Sequence, residues 1–192
     1  MNLLEKFEYC PVCGSSHFEK DTQKSKKCSN CGFEYFMNPA AAVVAFITND
    51  KGELLVEKRN NEPAKGTLDL PGGFADVLET AEESIMREVK EETGLTVTEA
   101  RYLFSLPNVY RYSGLDIQTL DMFFACKVED ASQLKAMDDA AECMWIAPRT
   151  SIQSCSACAL CARAFMSIST LTETDADGSA DVGIRQPPFA TY

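Results

Sequence analysis

Apolar positions along the chain fall into two regimes. Through residue 38 they are sparse and largely aromatic, too few to build an aliphatic core. From Asn38-Pro39 onward the pattern changes. AAAVVAFIT (40–48) is a continuous apolar run of β type, Asn49-Asp50-Lys51-Gly52 carries turn chemistry, and Glu53 to Arg59 alternates. Together they predict a β-hairpin. A Pro71-Gly72-Gly73 loop follows, and apolar runs near Thr96–Leu106, Ile117–Val128 and Cys143–Ile146 predict further strands. Between loop and strands the period shifts to that of a helix. Ala81, Ile85 and Val89 form an i, i+4 stripe, Thr80 with Glu83 makes a capping box, and Gly94 suits the C′ position. The helix is expected to span roughly 81 to 93. Strands mixed with few helices imply an α/β or α+β sandwich. Past Arg149 the pattern fades: SIQSCSACALCARAFMSIST is compatible with a helix of small residues, and TETDADGSADVG has the composition of a disordered tail.

The predicted helix carries the chemistry. At 100° per residue Glu88, Glu91 and Glu92 fall within an arc of about 100°, and Glu92 lies close to the centre line of the apolar stripe. A solvated acidic face explains Glu82 and Glu83 but not Glu92. Like charges at i, i+3 and i+4 repel, and a carboxylate set against an apolar stripe loses hydration. A hard divalent cation with oxygen ligands removes that conflict, Mg²⁺ first and Mn²⁺ as its substitute. Gly72 and Gly73 let backbone approach such a ligand closely.

The N-terminal segment needs a different source of stability. Cys10-Pro-Val-Cys13-Gly and Cys28-Ser-Asn-Cys31-Gly are two CxxC knuckles separated by fourteen residues. Four thiolates at this spacing predict a closed, structural Zn²⁺ site. His17 reads as an ordinary loop histidine. An odd count of nine cysteines argues against a disulfide framework and for metal binding in a reducing, cytoplasmic setting. The longest apolar stretch, Ala40–Ile47, is too short to span a membrane. Cys155, Cys158 and Cys161 lack the fourth cysteine of an iron–sulfur site, and Cys126 and Cys143 read as buried small residues. A net charge of −11 argues against broad nucleic-acid binding, leaving Lys20, Lys24, Lys26 and Lys27 of the ribbon as the one local basic patch. Tyr110 and Tyr112 are candidates to stack on a base, whereas Trp145 reads as core.

Gly73 to Leu95 matches the Nudix box, Gx5Ex7REUxEExGU with U aliphatic, at Gly73, Glu79, Arg87, Glu88, Val89, Glu91, Glu92, Gly94 and Leu95. The resemblance implies a Nudix α/β/α sandwich with a mixed sheet, and hydrolysis of a nucleoside diphosphate linked to another moiety. By position it implies Glu88, Glu91 and Glu92 as metal ligands with the Gly73 carbonyl, while Glu79 and Arg87 orient loop and helix. For the general base it points to Glu91 or Glu88 first, and to Asp138, Asp139 or Glu142 on a later loop second. Glu142, Tyr110 and Tyr112 are the candidate substrate contacts. A ribbon ahead of the box resembles the NADH pyrophosphatase branch, although SLPNVYRYSG (105–114) departs from that branch's SQPWPFPxS-like stretch. ADP-ribose or an NADH-like dinucleotide is the expected substrate, cleaved to AMP and a second phosphate monoester. The alternatives are a nucleoside triphosphate pyrophosphohydrolase, or a nucleic-acid- or protein-binding ribbon on an inactive scaffold. The implied organisation is a ribbon over 1–38, a hydrolase domain over 39–170 and a tail over 171–192. Oligomeric state is left open, with a homodimer among the alternatives.

Overall fold

The computed structural model describes residues 3–62, 65–137 and 140–147. The chain divides into two compact units, one made of residues up to 41 together with 107–121, the other of 42–106 together with residues from 122 onward.

In the first unit β1 (Phe18–Lys20), β2 (Ser25–Cys28) and β3 (Glu34–Phe36) form an antiparallel sheet in that order. Its core is Cys10, Phe18 and Cys28, with Phe7, Phe33 and Tyr35 packed around them. So small an apolar cluster supplies little stability by itself. The two CxxC segments fold alike. The Gly14 N–H donates to the Cys10 carbonyl at 2.8 Å and the Gly32 N–H to the Cys28 carbonyl at 2.9 Å. The Cys10 N–H reaches Ser15 at 2.9 Å and the Cys28 N–H reaches Phe33 at 2.8 Å. This repeat gathers the four Sγ atoms within 4.8 Å of one another, with Cys10–Cys31 at 3.7 Å and Cys13–Cys28 at 3.6 Å. A tetrahedron with Zn–S bonds of about 2.3 Å has sulfur–sulfur edges of roughly 3.8 Å, so the donor set fits zinc. The Ser15 backbone N–H, followed by the Asn30 amide, lowers the Cys13 thiol to about 6, whereas Cys31, against the pull of the Phe33 backbone N–H, is raised to about 12 by the neighbouring Cys13 thiol.

The expected basic patch is partly spent on structure. The Lys26 ammonium donates to the Phe7 carbonyl and sits 5.2 Å from the centre of the Phe18 ring. Five lysines and five acidic residues balance over residues 1–38, so this segment has no excess of positive charge.

Along the rest of the chain run β4 (Ala40–Ile47), β5 (Leu54–Arg59), β6 (Leu68–Asp69), β7 (Gly72–Phe74), helix α1 (Ala81–Thr93), β8 (Val97–Tyr112), β9 (Leu115–Val128) and β10 (Ala140–Ile146). They make two sheets, ordered β7-β4-β9-β8 and β10-β5-β6. Alternate residues of β4 enter different cores. Val43, Ala45 and Ile47 pack with Ile85 and Val89 of α1, whereas Phe46 packs with Leu54, Val56, Leu70 and Phe123.

The expected hairpin of 40–48 with 53–59 is corrected here. Its turn forms and closes on one bridge, Thr48 to Leu54, but the strands then part into separate sheets. Both hydrogen-bonding edges of β4 are taken by β7 and β9, and both edges of β5 by β10 and β6, so neither is left for the other. β8 also runs past the expected stop at Leu106, through Pro107 to Tyr112. It lies at the end of its sheet order, where a missing N–H is tolerated.

Helix α1 has the expected bounds and caps. Thr80 Oγ1 accepts the Glu83 N–H at 3.1 Å, the Thr80 N–H donates to Glu83 Oε2 at 2.8 Å, and Gly94 closes the helix at φ 70°. Among the described residues no helix is long and apolar enough to cross a membrane. The expected tail, and Cys155, Cys158 and Cys161, lie outside the described residues.

Because the ribbon core leans on its sulfurs, about one zinc per chain is expected in protein purified without chelator. Replacing Cys10 and Cys28 by serine is expected to abolish it and to speed amide exchange across residues 10–36 while α1 stays protected. Elemental analysis with hydrogen-exchange mass spectrometry measures both; a folded, zinc-free parent protein would contradict the assignment.

Candidate active site

The site is built on the contact between β7 and α1. β7 pairs with β4 so closely, Val44 opposite Gly72 and Val43 opposite Gly73, that a Cβ on Gly72 would lie 2.1 Å from the Val43 carbonyl oxygen. The absence of a side chain there lets the loop press onto the helix. The Gly72 N–H donates to Glu92 Oε2 at 2.9 Å, and the Glu88 carboxylate fills the space a Cβ on Gly73 would need, its Oε1 2.6 Å from that position.

Arg87 ties the loop to the helix. Its Nε and one terminal nitrogen bind Glu79 at 2.9 Å each, the planar fork matching the carboxylate. The same terminal nitrogen donates to the Phe74 carbonyl at 3.2 Å. The other reaches Glu88 Oε1 at 2.8 Å and Glu91 Oε2 at 3.0 Å. Arg87 therefore acts on its neighbours' positions. Its hydrogen bonds hold the Glu79 carboxyl down at about 2, and the same contacts push its own pKa further up.

The three box carboxylates differ in exposure. The Glu91 side chain is 48 % exposed, the Glu88 side chain 14 %, and Glu92 as a residue 7 %. Burial raises Glu88 above the ordinary carboxylate range against the pull of Arg87. Glu92 is pushed to about 10, first by burial and then by the charge of Glu57, while the Gly72 N–H pulls the other way. Glu57, on β5, is itself 3 % exposed.

Sequence reasoning missed Glu57. The available signal was its two-residue spacing from Leu55, which packs with Ile85 and Val89, but Leu54 and Val56 make both faces of the strand look apolar.

Gly73, Glu79, Arg87, Glu88, Glu91 and Glu92 thus converge within the second unit. Tyr110 and Tyr112 fall in the first, on β8, with their rings stacked 6.4 Å apart. Glu142 is exposed on β10, opposite Lys58. Asp138 and Asp139 lie outside the described residues. Trp145, Cys143 and Cys126 belong to the α1-side core or its margin. Oxygen donors only, several desolvated and repelling one another, suit a hard divalent cation better than any soft metal.

The Glu79–Arg87 pair carries a pH signature. Its carboxyl is depressed from 4.5 to about 2, so the stabilisation is complete above pH 4.5 and is lost as pH falls toward 2. Glu79→Gln is expected to be less stable than the parent at neutral pH, with the gap closing across that window. Urea unfolding at several pH values measures it, and a gap that persists unchanged to about pH 2 would contradict the pairing.

Comparison with known proteins agrees with the geometry. The NUDIX domain matches residues 38–153. The ADP-ribose pyrophosphatase of Methanocaldococcus jannaschii is 39 % identical over 112 residues, 57 % of this chain and 63 % of that protein. The NAD-capped RNA hydrolase NudC of Escherichia coli is 32 % identical over 100 residues, 52 % of this chain and 38 % of that protein. The chain thus spans less than two thirds of the curated relatives it matches. Among solved structures, the MutT protein of Methanosarcina mazei superposes with a TM-score of 0.62 at 24 % identity, covering 72 % of this chain and 99 % of that one, a likeness of fold. With the family matched across more than half its length and its box assembled between β7 and α1, the chain belongs to the NUDIX domain family, with that family's α/β fold.

Proposed function

We propose that the protein hydrolyses the diphosphate bond of a nucleoside diphosphate derivative, ADP-ribose or an NADH-like dinucleotide, to AMP and a second phosphate monoester, with Mg²⁺ or Mn²⁺ as cofactor. The observation that carries this is the approach of Glu88 and Glu92 to the Gly72–Gly73 turn, with Arg87 joining Glu88 to Glu91. The relatives named ADP-ribose pyrophosphatase and NAD-capped RNA hydrolase support the substrate class.

The division of labour follows from burial. Glu88 and Glu92, held beside the glycine turn, would hold the cation with the Gly73 carbonyl. When bound, a divalent cation screens the diphosphate oxygens and acidifies a water. Glu91 is the exposed member, open to solvent, and is the group we assign to take the proton from the attacking water. Arg87 fixes the rotamers of Glu88 and Glu91, so its loss would misplace both without removing a ligand. Glu142 and the Tyr110–Tyr112 pair stand as candidate contacts to the substrate's second moiety. The division into a ribbon over 1–38, a hydrolase domain over 39–170 and a tail over 171–192 belongs to this proposal, as does a cytoplasmic location. A nucleic-acid role for the ribbon is disfavoured by its balanced charge and by the internal use of Lys26.

Glu91→Gln and Glu92→Gln are expected to keep the fold and lose about 100-fold or more in kcat/KM, whereas Glu83→Gln, confined to the helix cap, changes it little. A substrate panel of ADP-ribose, NADH, dinucleoside polyphosphates and nucleoside triphosphates at equal Mg²⁺, read by product chromatography, tests the class. ADP-ribose or NADH is expected to lead; a triphosphate ahead by about tenfold would overturn the dinucleotide reading, and parent rates in both box variants would overturn the site.

A further inference from the structure

We propose that the cleft between the last turn of α1 and residues 132–137 binds the phosphate of the substrate's second moiety, with Lys135 as its ion-pairing residue. The inference rests on the hydrolase reading above and adds to it a binding site outside the box.

The cleft is open, and at about 830 Å³ it has the size of a small-ligand site. Lys90, Glu91 and Gly94 line its helix side, and Gln133, Lys135 and Met137 line the other. Glu91 therefore belongs both to the cleft and to the box. Backbone hydrogen bonds fix the second wall to the helix. The Lys135 N–H donates to the Thr93 carbonyl at 3.0 Å and the Met137 N–H to the Glu92 carbonyl at 2.8 Å. Gly94 lets the walls come together, since a Cβ there would stand 3.4 Å from Met137 Sδ. Glu91 and Gly94 are three residues apart, so the cleft lies within about 5 Å, one helical turn, of the carboxylate assigned to the attacking water. A diphosphate held beside Glu88 and Glu92 would carry its second phosphate past Glu91 toward it.

Charge decides what such a cleft accepts. The C-terminus of a helix ordinarily repels an anion through the partial negative charge of its unpaired carbonyls. Here four of those carbonyls are engaged: that of Lys90 by the Gly94 N–H at 3.0 Å, those of Glu92 and Thr93 by the opposite wall, and that of Gly94 by the Lys90 ammonium at 2.9 Å. The lining side chains include two ammonium groups and one carboxylate, Glu91, which Arg87 holds at 3.0 Å. Asp130, on the same loop as Lys135, is turned to its own neighbours and accepts from Ser132 and Gln133. Lys90 is spent on Gly94 and Thr96. The Lys135 ammonium, by contrast, has no hydrogen bond or ion pair among the described residues. In a chain of net charge −11, which repels phosphate at a distance, a cation left unpaired beside Glu91 supplies the local attraction that a phosphate needs.

Titration calorimetry at equal Mg²⁺, with ribose 5-phosphate as the monoester that ADP-ribose would release and ribose as its uncharged control, tests this. The proteins are the parent, Lys135→Gln, Lys135→Arg and Lys127→Gln, each checked for fold by circular dichroism. Lys127 is an exposed cation bound to Glu99 and does not line the cleft. Lys135→Gln is expected to bind ribose 5-phosphate about fivefold more weakly than the parent, and Lys135→Arg to stay within about twofold of it. Lys127→Gln is expected to match the parent, and ribose to bind far more weakly throughout. Parent-strength binding in Lys135→Gln, an equal loss in Lys127→Gln, ribose binding as tightly as its phosphate, or no binding by the parent would overturn the proposal. Hydrolysis of ADP-ribose by Lys135→Gln with the parent's KM would overturn the cleft as a substrate site and leave the hydrolase reading standing. Ribose 5-phosphate held through Lys135 by a protein that hydrolyses no member of the substrate panel would overturn the hydrolase reading and leave the anion site standing.

Discussion

The Glu92 carboxylate is removed from water by the same apolar seam that holds α1 on the sheet, and it is met there by a backbone N–H from Gly72 and a second carboxylate from Glu57. An ionised carboxylate in such a position costs several kcal/mol unless compensated, more than a cap or a surface ion pair returns. The compensation must come from a proton or from a cation, and the geometry around Glu92 is organised for that exchange. Gly72 brings the loop near enough to donate a hydrogen bond, and Glu88 fills the space that any side chain on Gly73 would occupy. Packing Glu92 inside thereby brings helix and loop together at one carboxylate, the place where we propose that a divalent ion binds.

Arg87 and the ribbon solve two further problems with different chemistry. A loop bearing two glycines is entropically costly to order, and the fork of Arg87 orders it by joining the Phe74 carbonyl and Glu79 on the loop side to Glu88 and Glu91 on the helix side. In the ribbon, a cluster of three buried residues and three aromatic neighbours cannot order about forty residues, so ordering passes to four convergent sulfurs. One site is a closed sulfur tetrahedron suited to a resident structural ion. The other is an oxygen-rich, partly open set, with Glu91 still facing solvent, suited to exchange of water and substrate.

Those parts of the structure determined by local chemistry were legible in the sequence. The bounds and both caps of α1 follow from Thr80, Glu83 and Gly94, and the burial of Glu92 follows from its angular position beside Ile85 and Val89. The paired CxxC knuckles likewise announce the sulfur cluster. What depended on pairing at a distance was not legible. Residues 40–48 and 53–59 carry every mark of a hairpin, yet their edges are claimed by β7, β9, β10 and β6, the farthest pairing joining Leu54 to Ile146. Glu57 was hidden for the same reason: in Leu54-Leu55-Val56-Glu57 both faces read as apolar, and only the placement of α1 over one of them tells which face the carboxylate shares. The strand expected near Thr96–Leu106 continues through Pro107 to Tyr112 because a missing N–H costs little at a sheet edge, and edge position is a property of the whole sheet.

The central claim is that the buried carboxylates between β7 and α1 form a divalent-cation centre. Anomalous diffraction at the manganese edge, from crystals grown with Mn²⁺ and a non-hydrolysable ADP-ribose analogue, tests it most directly. The account predicts manganese peaks beside the carboxylates of Glu88 and Glu92 and the Gly73 carbonyl, with the analogue's diphosphate next to them. Manganese confined to other acidic surfaces, with the analogue bound and Glu92 still held only by the Gly72 N–H and Glu57, would contradict it.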